Sequence, residues 1–222
     1  MNPAIRRIEW DSTAFGRDCY ELDALTTETL RDAEQRPGHY TVRVDPLESK
    51  VLLHQHGFYY CDTLIEPYCS RARFAARRDD QAEFSRDIGI NAVLAICHGA
   101  FRHGRFHRDF HLTQEQADLR YDNWLRQIHA AGGVYGLLFD GRLAGFIATD
   151  EHRLVLHALA PEFRGQGIAA GLWTAVCEDL YARGHTELCS SISAANLAAL
   201  NLYAALGFRF RRPVDVYHRW TP

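Results

Sequence analysis

The stretch HALAPEFRGQGIAAGLW, His157 to Trp173, decides how this chain folds. An apolar run ends at Ala160, glycines stand at 165 and 167, and a second apolar run begins at Ile168. Glycines between a strand and a helix let the backbone approach a ligand closely. The unpaired N–H groups of the first helical turn, backed by the positive end of the helix dipole, then hold an anion. A phosphate-bearing cofactor is the expectation.

Three glycine loops of this kind are known by their chemistry. A P-loop needs Lys and a hydroxyl after its last glycine, and Ile168-Ala169 supplies neither. GQGIAA satisfies the loose GxGxxA form of a dinucleotide fingerprint, and Glu187 lies about twenty residues further on. That fold needs its strand to run directly into the first glycine of a parallel sheet, whereas APEFR intervenes here. The third pattern is Arg or Gln, two residues, Gly, one residue, then Gly or Ala, and Arg164 to Ala169 satisfies it.

The flanking elements point the same way. VYGLLFD and RLAGFIATD are joined by Asp140-Gly141, a pair that tolerates the positive φ angles of a two-residue hairpin turn. RLVLHALA, Arg153 to Ala160, follows as a third strand of an antiparallel meander. Upstream, Thr113 and Gln116 form a capping box, and Ala117, Tyr121, Trp124, Leu125 and Ile128 recur at helical spacing up to Gly132-Gly133. An earlier helix is expected over about 88–102. Downstream come a helix over about 167–183, the strand TELCSSI, and the helix NLAALNLYAAL closed by Gly207. FRFRR and VDVYHRW read as two strands, which as sheet edges predict a homodimer. LESKVLLHQHGFYYCDTLIEPY parallels NLAALNLYAALGFRFRRPVDVY at a constant offset of 150, a weak internal repeat of helix, Gly-Phe, strand. The first copy has no glycine loop before it, so one cofactor belongs to the second.

Composition narrows the function. The net charge of −3 is wrong for a general nucleic-acid binder. Of 25 cations only Lys50 is Lys, a bias credited first to codon preference. The six cysteines never approach CxxC spacing, so reduced, buried thiols are expected and neither a zinc ribbon nor a disulfide framework. The N-terminal MNPAIRRIEW lacks the apolar core of a signal peptide, and no apolar run approaches the roughly 20 residues of a membrane span. A cytoplasmic protein without membrane insertion is expected.

With NLYAALGF after it and Pro161 and Phe163 within it, the glycine loop resembles that of the GNAT superfamily of acyl-CoA-dependent N-acetyltransferases, over roughly residues 76–222. The resemblance implies an α/β fold with a mixed, largely antiparallel central sheet and flanking helices. A smaller half-GNAT-like subdomain over 1–75 would precede a transferase domain over 76–222. It implies acetyl-CoA as cosubstrate and no metal. The pantetheine arm would lie along Ala158, Leu159 and Ala160, and the pyrophosphate on the amides of Arg164, Gly165, Gln166, Gly167, Ile168 and Ala169. Asn196 would touch the cofactor or merely cap its helix. Tyr203 would be the acid that protonates the CoA thiolate, as a phenol that keeps its proton at neutral pH. It also reads as a core aromatic.

IRRIEWDSTAFGRDCYEL and GAFRHGRFHRDFHLTQEQADLRYDNWLRQ resemble a narrower group, the TDP-fucosamine acetyltransferases, whose acceptor is an amino group on a nucleotide-linked deoxysugar. That implies a small-molecule amine, a TDP- or UDP-amino sugar, held by the loop Ala100–His111. Arg102, Arg105, Phe106, His107, Tyr121 and His157 are the candidate acceptor residues. Phe101 and Phe106 read equally as core, and the arginines as solvated or paired with Asp109 and Glu115. His103, His107 and His111 have metal-site spacing only if the loop is helical. The amine base stays open among His157, Glu151, His152 and a water relay. Other amines (an amino acid, polyamine, antibiotic or protein N-terminus) and a non-catalytic acyl-CoA-binding module are the alternatives.

Overall fold

The computed structural model describes residues 3–222. Along the chain these form β1 (Ile5–Arg7), α1 (Glu9–Phe15), β2 (Cys19–Leu22), α2 (Thr27–Gln35), β3 (Gly38–Val44), α3 (Val51–Gln55) and β4 (Tyr59–Ser70). There follow β5 (Ala82–Ser85), α4 (Ile90–Cys97), α5 (Gln114–Ala130), β6 (Val134–Phe139), β7 (Arg142–Asp150) and β8 (Arg153–Leu159). The last elements are α6 (Ala169–Ala182), β9 (Glu187–Ser190), β10 (Ile192–Ser193), α7 (Leu197–Ala205) and β11 (Arg209–Thr221).

Local chemistry accounts for the elements nearest the glycine loop. Asp140 and Gly141 take φ of 50° and 69°, and Phe139 pairs with Arg142 across them, so β6 and β7 close through a two-residue turn. The Thr113 hydroxyl accepts from the Gln116 amide at 3.2 Å while the Gln116 side chain accepts from the Thr113 amide at 3.0 Å, starting α5 where its capping box lies. The preceding helix is shorter than expected, ending at Cys97, because Gly99 takes a φ of 72° and turns the chain out of it.

The sheet runs β1-β2-β3-β11-β4-β9-β8-β7-β6-β5, with β10 also on β4. It is antiparallel except where β2 meets β3 and β8 meets β9. The helices flank this mixed sheet, as the GNAT resemblance implies. The C-terminal segment departs from expectation. It is one strand, not two, interrupted by a bulge between Arg211 and Val214 where Arg212 takes a φ of 52°. It lies between β3 and β4 rather than at an edge, so the ground for predicting a homodimer from C-terminal edge strands is gone.

The repeat has a structural counterpart. Gly57 and Gly207 both take positive φ, 69° and 85°, and the phenylalanines after them are both buried. The strands that follow, β4 and β11, pair antiparallel with Leu64 opposite Val214, two positions 150 apart. A local two-fold axis therefore passes through that pair. Each strand also joins the other half of the sheet, β11 through β3 and β4 through β9.

The main core lies under β6 to β9 and includes Phe146, Leu172, Leu188 and Tyr203. A second gathers around Leu30, Tyr40 and Leu53, and a third joins Phe15 to Phe106, Leu112 and Ala117. That third cluster pins α1 and the Arg-rich loop against α5. All six cysteines are buried free thiols, none paired with another. Among the described residues no helix is long and apolar enough to cross a membrane.

Candidate active site

Strand β8 pairs with β7 along its length but with β9 only at Arg153 and Leu154. The chain after β9 turns away to pair as β10 with Ile65 and Leu64. One edge of β8 is therefore unpaired from Val155 onward. The Ala160 amide donates to Ala144 O on the β7 side at 2.8 Å, so strand alternation directs the amides of His157 and Leu159 into the gap.

Beyond that edge a turn at Pro161–Phe163, anchored by buried Phe163, leads into the glycine loop. Gly165 and Gly167 take φ of 74° and 79°, and a Cβ on either would meet nothing within 4 Å. Conformation, not space, demands glycine here. Among the described residues the amides of Gly165, Gln166, Gly167 and Ile168 donate to no protein acceptor, and no side chain caps α6. Arg164 donates from Nε to Leu159 O at 2.9 Å, and Gln166 from Nε2 to Glu162 O at 2.5 Å, which fixes the loop. Free N–H groups at a helix start suit a pyrophosphate, and an unpaired strand edge suits an extended arm carrying amides. Acetyl-CoA has both parts, so the residues fit it.

The gap opens into a cavity of about 530 Å³. Of the predicted acceptor and cofactor residues, Arg105, Phe106, Tyr121, His157 and Asn196 line it. Arg102 and His107 do not, and neither do Ala158 to Ala160 or the glycine loop Arg164 to Ala169, which lie beyond its lining. His107 is buried and bonded through Nε2 to Asp118 at 2.8 Å, and Arg102 points to solvent. Asn196 caps α7 by accepting from the Ala199 amide at 3.1 Å and also lines the cavity. Sequence reasoning missed Arg43, Asp62, Arg120, Arg153 and Ser193, which also line it. They come from β3, β4, α5, β8 and β10 and share no local motif.

The cavity is cationic. Arg120 pairs with Asp11 and Arg43 with Glu21, but Arg105 has no hydrogen-bond or ion-pair partner among the described residues and rests over the Phe106 ring at 4.5 Å. Burial, then repulsion from Arg105, pulls the Arg43 guanidinium down to about 10. Two cations that repel each other across a cleft favour an anionic occupant.

Tyr203 stands behind this wall, fully buried, with its hydroxyl 3.0 Å from His157 Nε2. Burial pulls His157 down to about 4 and pushes Tyr203 above the ordinary phenol range. At neutral pH the pair is neutral imidazole and neutral phenol.

The loop Ala100–His111 is not helical, and it separates its three histidines. His103 faces the cavity, His107 binds Asp118, and His111 stacks on Trp220 at 5.5 Å. A different cluster forms instead. Asp109 Oδ2 accepts from His39 at 2.8 Å and from His218 at 2.7 Å, while Oδ1 accepts from Tyr59 at 2.9 Å and the His111 amide at 2.9 Å. Burial opposes ionisation of Asp109, but the bonds from His218 and His39 outweigh it and hold the carboxyl well below its usual range. His39, Asp109 and His218 offer ligand atoms within 4.8 Å of one another. The outer nitrogens of both rings have no partner, whereas metal-bound histidines normally donate that N–H to an acceptor. The donor set fits a hydrogen-bonded anchor for the loop better than a metal.

Residues 100–208 match the model of the acetyltransferase (GNAT) family. The spore coat polysaccharide biosynthesis protein SpsD of Bacillus subtilis (strain 168) is 25% identical over 135 residues, covering 58% of this chain and 47% of the relative. The [ribosomal protein bS18]-alanine N-acetyltransferase of Escherichia coli (strain K12) is 33% identical over 78 residues, covering 33% of this chain and 53% of the relative. The chain thus spans about half the length of these curated relatives. Among solved structures, a tandem GNAT protein from the clavulanic acid biosynthesis pathway superposes with a TM-score of 0.56 at 14% identity, covering 91% of this chain and 75% of that one. The fold is that of the GNAT superfamily.

Proposed function

Given a GNAT fold whose residues 100–208 match the GNAT acetyltransferase family, we propose that this protein is an acetyl-CoA-dependent N-acetyltransferase acting on the primary amine of a small anionic acceptor. The acceptor class we favour is a nucleotide-linked deoxy-amino sugar, as in the TDP-fucosamine acetyltransferases. One observation carries the reading: the glycine loop with its free amides at Gly165 to Ile168 follows a strand, β8, whose unpaired edge lines a cleft in which Arg105 has no hydrogen-bond or ion-pair partner among the described residues. The cleft cations suit a diphosphate, and a relative named for polysaccharide biosynthesis agrees with a sugar acceptor. Residues 1–75 act in this reading as a half-GNAT subdomain that closes the acceptor side, and 76–222 as the transferase domain.

Acetyl-CoA would supply the acyl group as an activated thioester, for direct transfer within a ternary complex. Gly165 to Ala169 would hold its pyrophosphate, and the outward-facing edge of β8 at His157 and Leu159 would pair with its amide-bearing arm. The Leu159 amide, fixed on a strand, donates to the carbonyl oxygen as negative charge grows there. Tyr203 keeps its proton at neutral pH and holds it for the departing sulfur. His157, neutral at that pH, orients the Tyr203 hydroxyl.

The test is thiol release from acetyl-CoA against TDP- and UDP-amino sugars, amino acids, polyamines and N-terminal peptides, with a CoA titration alongside. Turnover of a nucleotide amino sugar is the expected result. Turnover of a peptide N-terminus alone favours the activity named for the bS18 relative. CoA binding without turnover of any amine favours an acyl-CoA-binding module.

A further inference from the structure

The acceptor amine arrives protonated at neutral pH, and a protonated amine has no lone pair with which to attack. The cleft therefore needs a route by which that proton leaves the amine. Asp62 and Ser193 occupy its wall together, although they are 131 positions apart in the chain. The Ser193 hydroxyl donates to Asp62 Oδ1 at 2.7 Å and accepts from the Ala195 amide at 3.2 Å. A hydroxyl has one proton and two lone pairs, so one acceptor site on Ser193 is left over. Ser193 keeps some exposure at the cavity, whereas Asp62 lies wholly beneath it.

Asp62 is an odd residue for a purely structural position. Its side chain is fully buried, and Oδ1 takes both Ser193 and Arg108, the latter at 3.1 Å. Oδ2 is buried with no hydrogen-bond partner among the described residues. A buried carboxylate that serves structure alone normally has both oxygens satisfied. Missing bonds to the charged form make it a stronger base.

We propose that Asp62 and Ser193 form the proton relay that deprotonates the acceptor amine. This rests on the acetyltransferase reading. In the step, an N–H proton of the ammonium moves to Ser193 Oγ as the Ser193 proton moves to Asp62 Oδ1. The nitrogen recovers its lone pair, Ser193 is unchanged and Asp62 becomes neutral. Burial raises Asp62 above the ordinary carboxylate range, while the Ser193 bond and the Arg108 charge pull the other way. The groups that act on its charge are Arg105 and Arg108 from the loop, the Thr63 amide on its own strand, Tyr121 from α5 and Ser193 from β10. A relay assembled across both halves of the chain gives the first 75 residues a chemical task as well as a structural one.

The experiment measures kcat, KM and pH profiles of wild type, Asp62→Asn, Ser193→Ala and Ser193→Thr with the amine the wild type uses best. Asp62→Asn is expected to lose about 100-fold or more in kcat with unchanged acetyl-CoA affinity, and to recover as pH approaches the amine's own pKa. Ser193→Ala is expected to lose about 10-fold or more, with Ser193→Thr restoring most of it. Ser193→Ala removes one oxygen from a small side chain, so it tests the relay even where Asp62→Asn fails to fold. Wild-type rates and pH profiles in Ser193→Ala overturn the proposal, as does a loss in Asp62→Asn that high pH does not repair. Failure of the wild type to acetylate any amine of the panel overturns the acetyltransferase reading and the relay with it. Wild-type turnover with indifferent variants overturns the relay alone.

Discussion

Tyr203 and His157 are bonded to each other, hydroxyl to Nε2 at 3.0 Å, across the divide between α7 and β8. The sequence presents them as separate candidates, one for the acid and one for the acceptor wall. In the fold they are one unit: burial depresses His157 to about 4 and raises Tyr203, so neither carries charge near neutral pH. A neutral phenol of this kind would suit a departing thiolate, which needs a proton rather than a cation.

Tyr203→Phe removes that proton and keeps the ring packed against Phe208. The expected result is a fall in kcat of about 100-fold, within the range for a lost general acid, with acetyl-CoA affinity changed less than about twofold. Steady-state kinetics paired with a CoA titration check it, and a variant at wild-type rate removes Tyr203 as the acid.

Gly167→Ala puts a Cβ on a residue with φ of 79° in open space. The strain is about 1 kcal/mol, small against global stability, but it turns the amides proposed to hold the pyrophosphate. Acetyl-CoA affinity is expected to fall about tenfold while the melting temperature moves by only a few degrees. Calorimetric CoA titration and thermal melts separate the two effects.

Arg105→Ala removes a cation that has no hydrogen-bond or ion-pair partner among the described residues and that repels Arg43. Stability is expected to stay the same or rise slightly. If the acceptor is anionic, its KM rises about tenfold with kcat nearly constant, the pattern of lost uniform binding. The wild-type KM is also expected to rise with salt, and the variant's to rise less.

Acid should loosen the loop anchor. Burial lowers His218 from 6.5 to about 3, so between those values the unfolded chain binds a proton that the folded chain does not. Stability contributed by neutral His218 is whole above about pH 6.5 and is lost as pH falls, at about 1.4 kcal/mol per pH unit for one proton. The Asp109 carboxyl, held low by the same histidines, acts in the same direction at still lower pH. Urea unfolding from pH 4.5 to 7.5 should show this slope, and His218→Gln should flatten it by about one proton. A slope unchanged in the variant would place the acid sensitivity elsewhere.

The glycine loop, the hairpin turn and the capping box were legible because each depends on residues within a few positions of one another. Asp140-Gly141 needs positive φ, Thr113 reaches Gln116 one turn later, and Gly165 and Gly167 bracket a helix start. The C-terminal strand was misplaced because pairing partners are chosen over long range. Nothing local to Asp215–Thr221 announces that it will lie against β3, from Val44 back to Gly38. The loop Ala100–His111 misled in another way. Its histidines are regular in sequence, but Gly104 fits against the Tyr121 hydroxyl and turns the chain, so the helical spacing never forms.

The sequence by itself determined that a helix would follow a strand through a glycine loop with free amides, a local geometry that suits a phosphate-bearing group. Tertiary structure alone decided which distant residues meet. Asp62 meets Ser193, Arg43 comes near Arg105, and Asp109 collects His39 and His218 only because β4 and β11 exchange places between two halves of one sheet. Backbone conformation is set by neighbours in the chain. The charge, burial and bonding that make a site are set by neighbours in space.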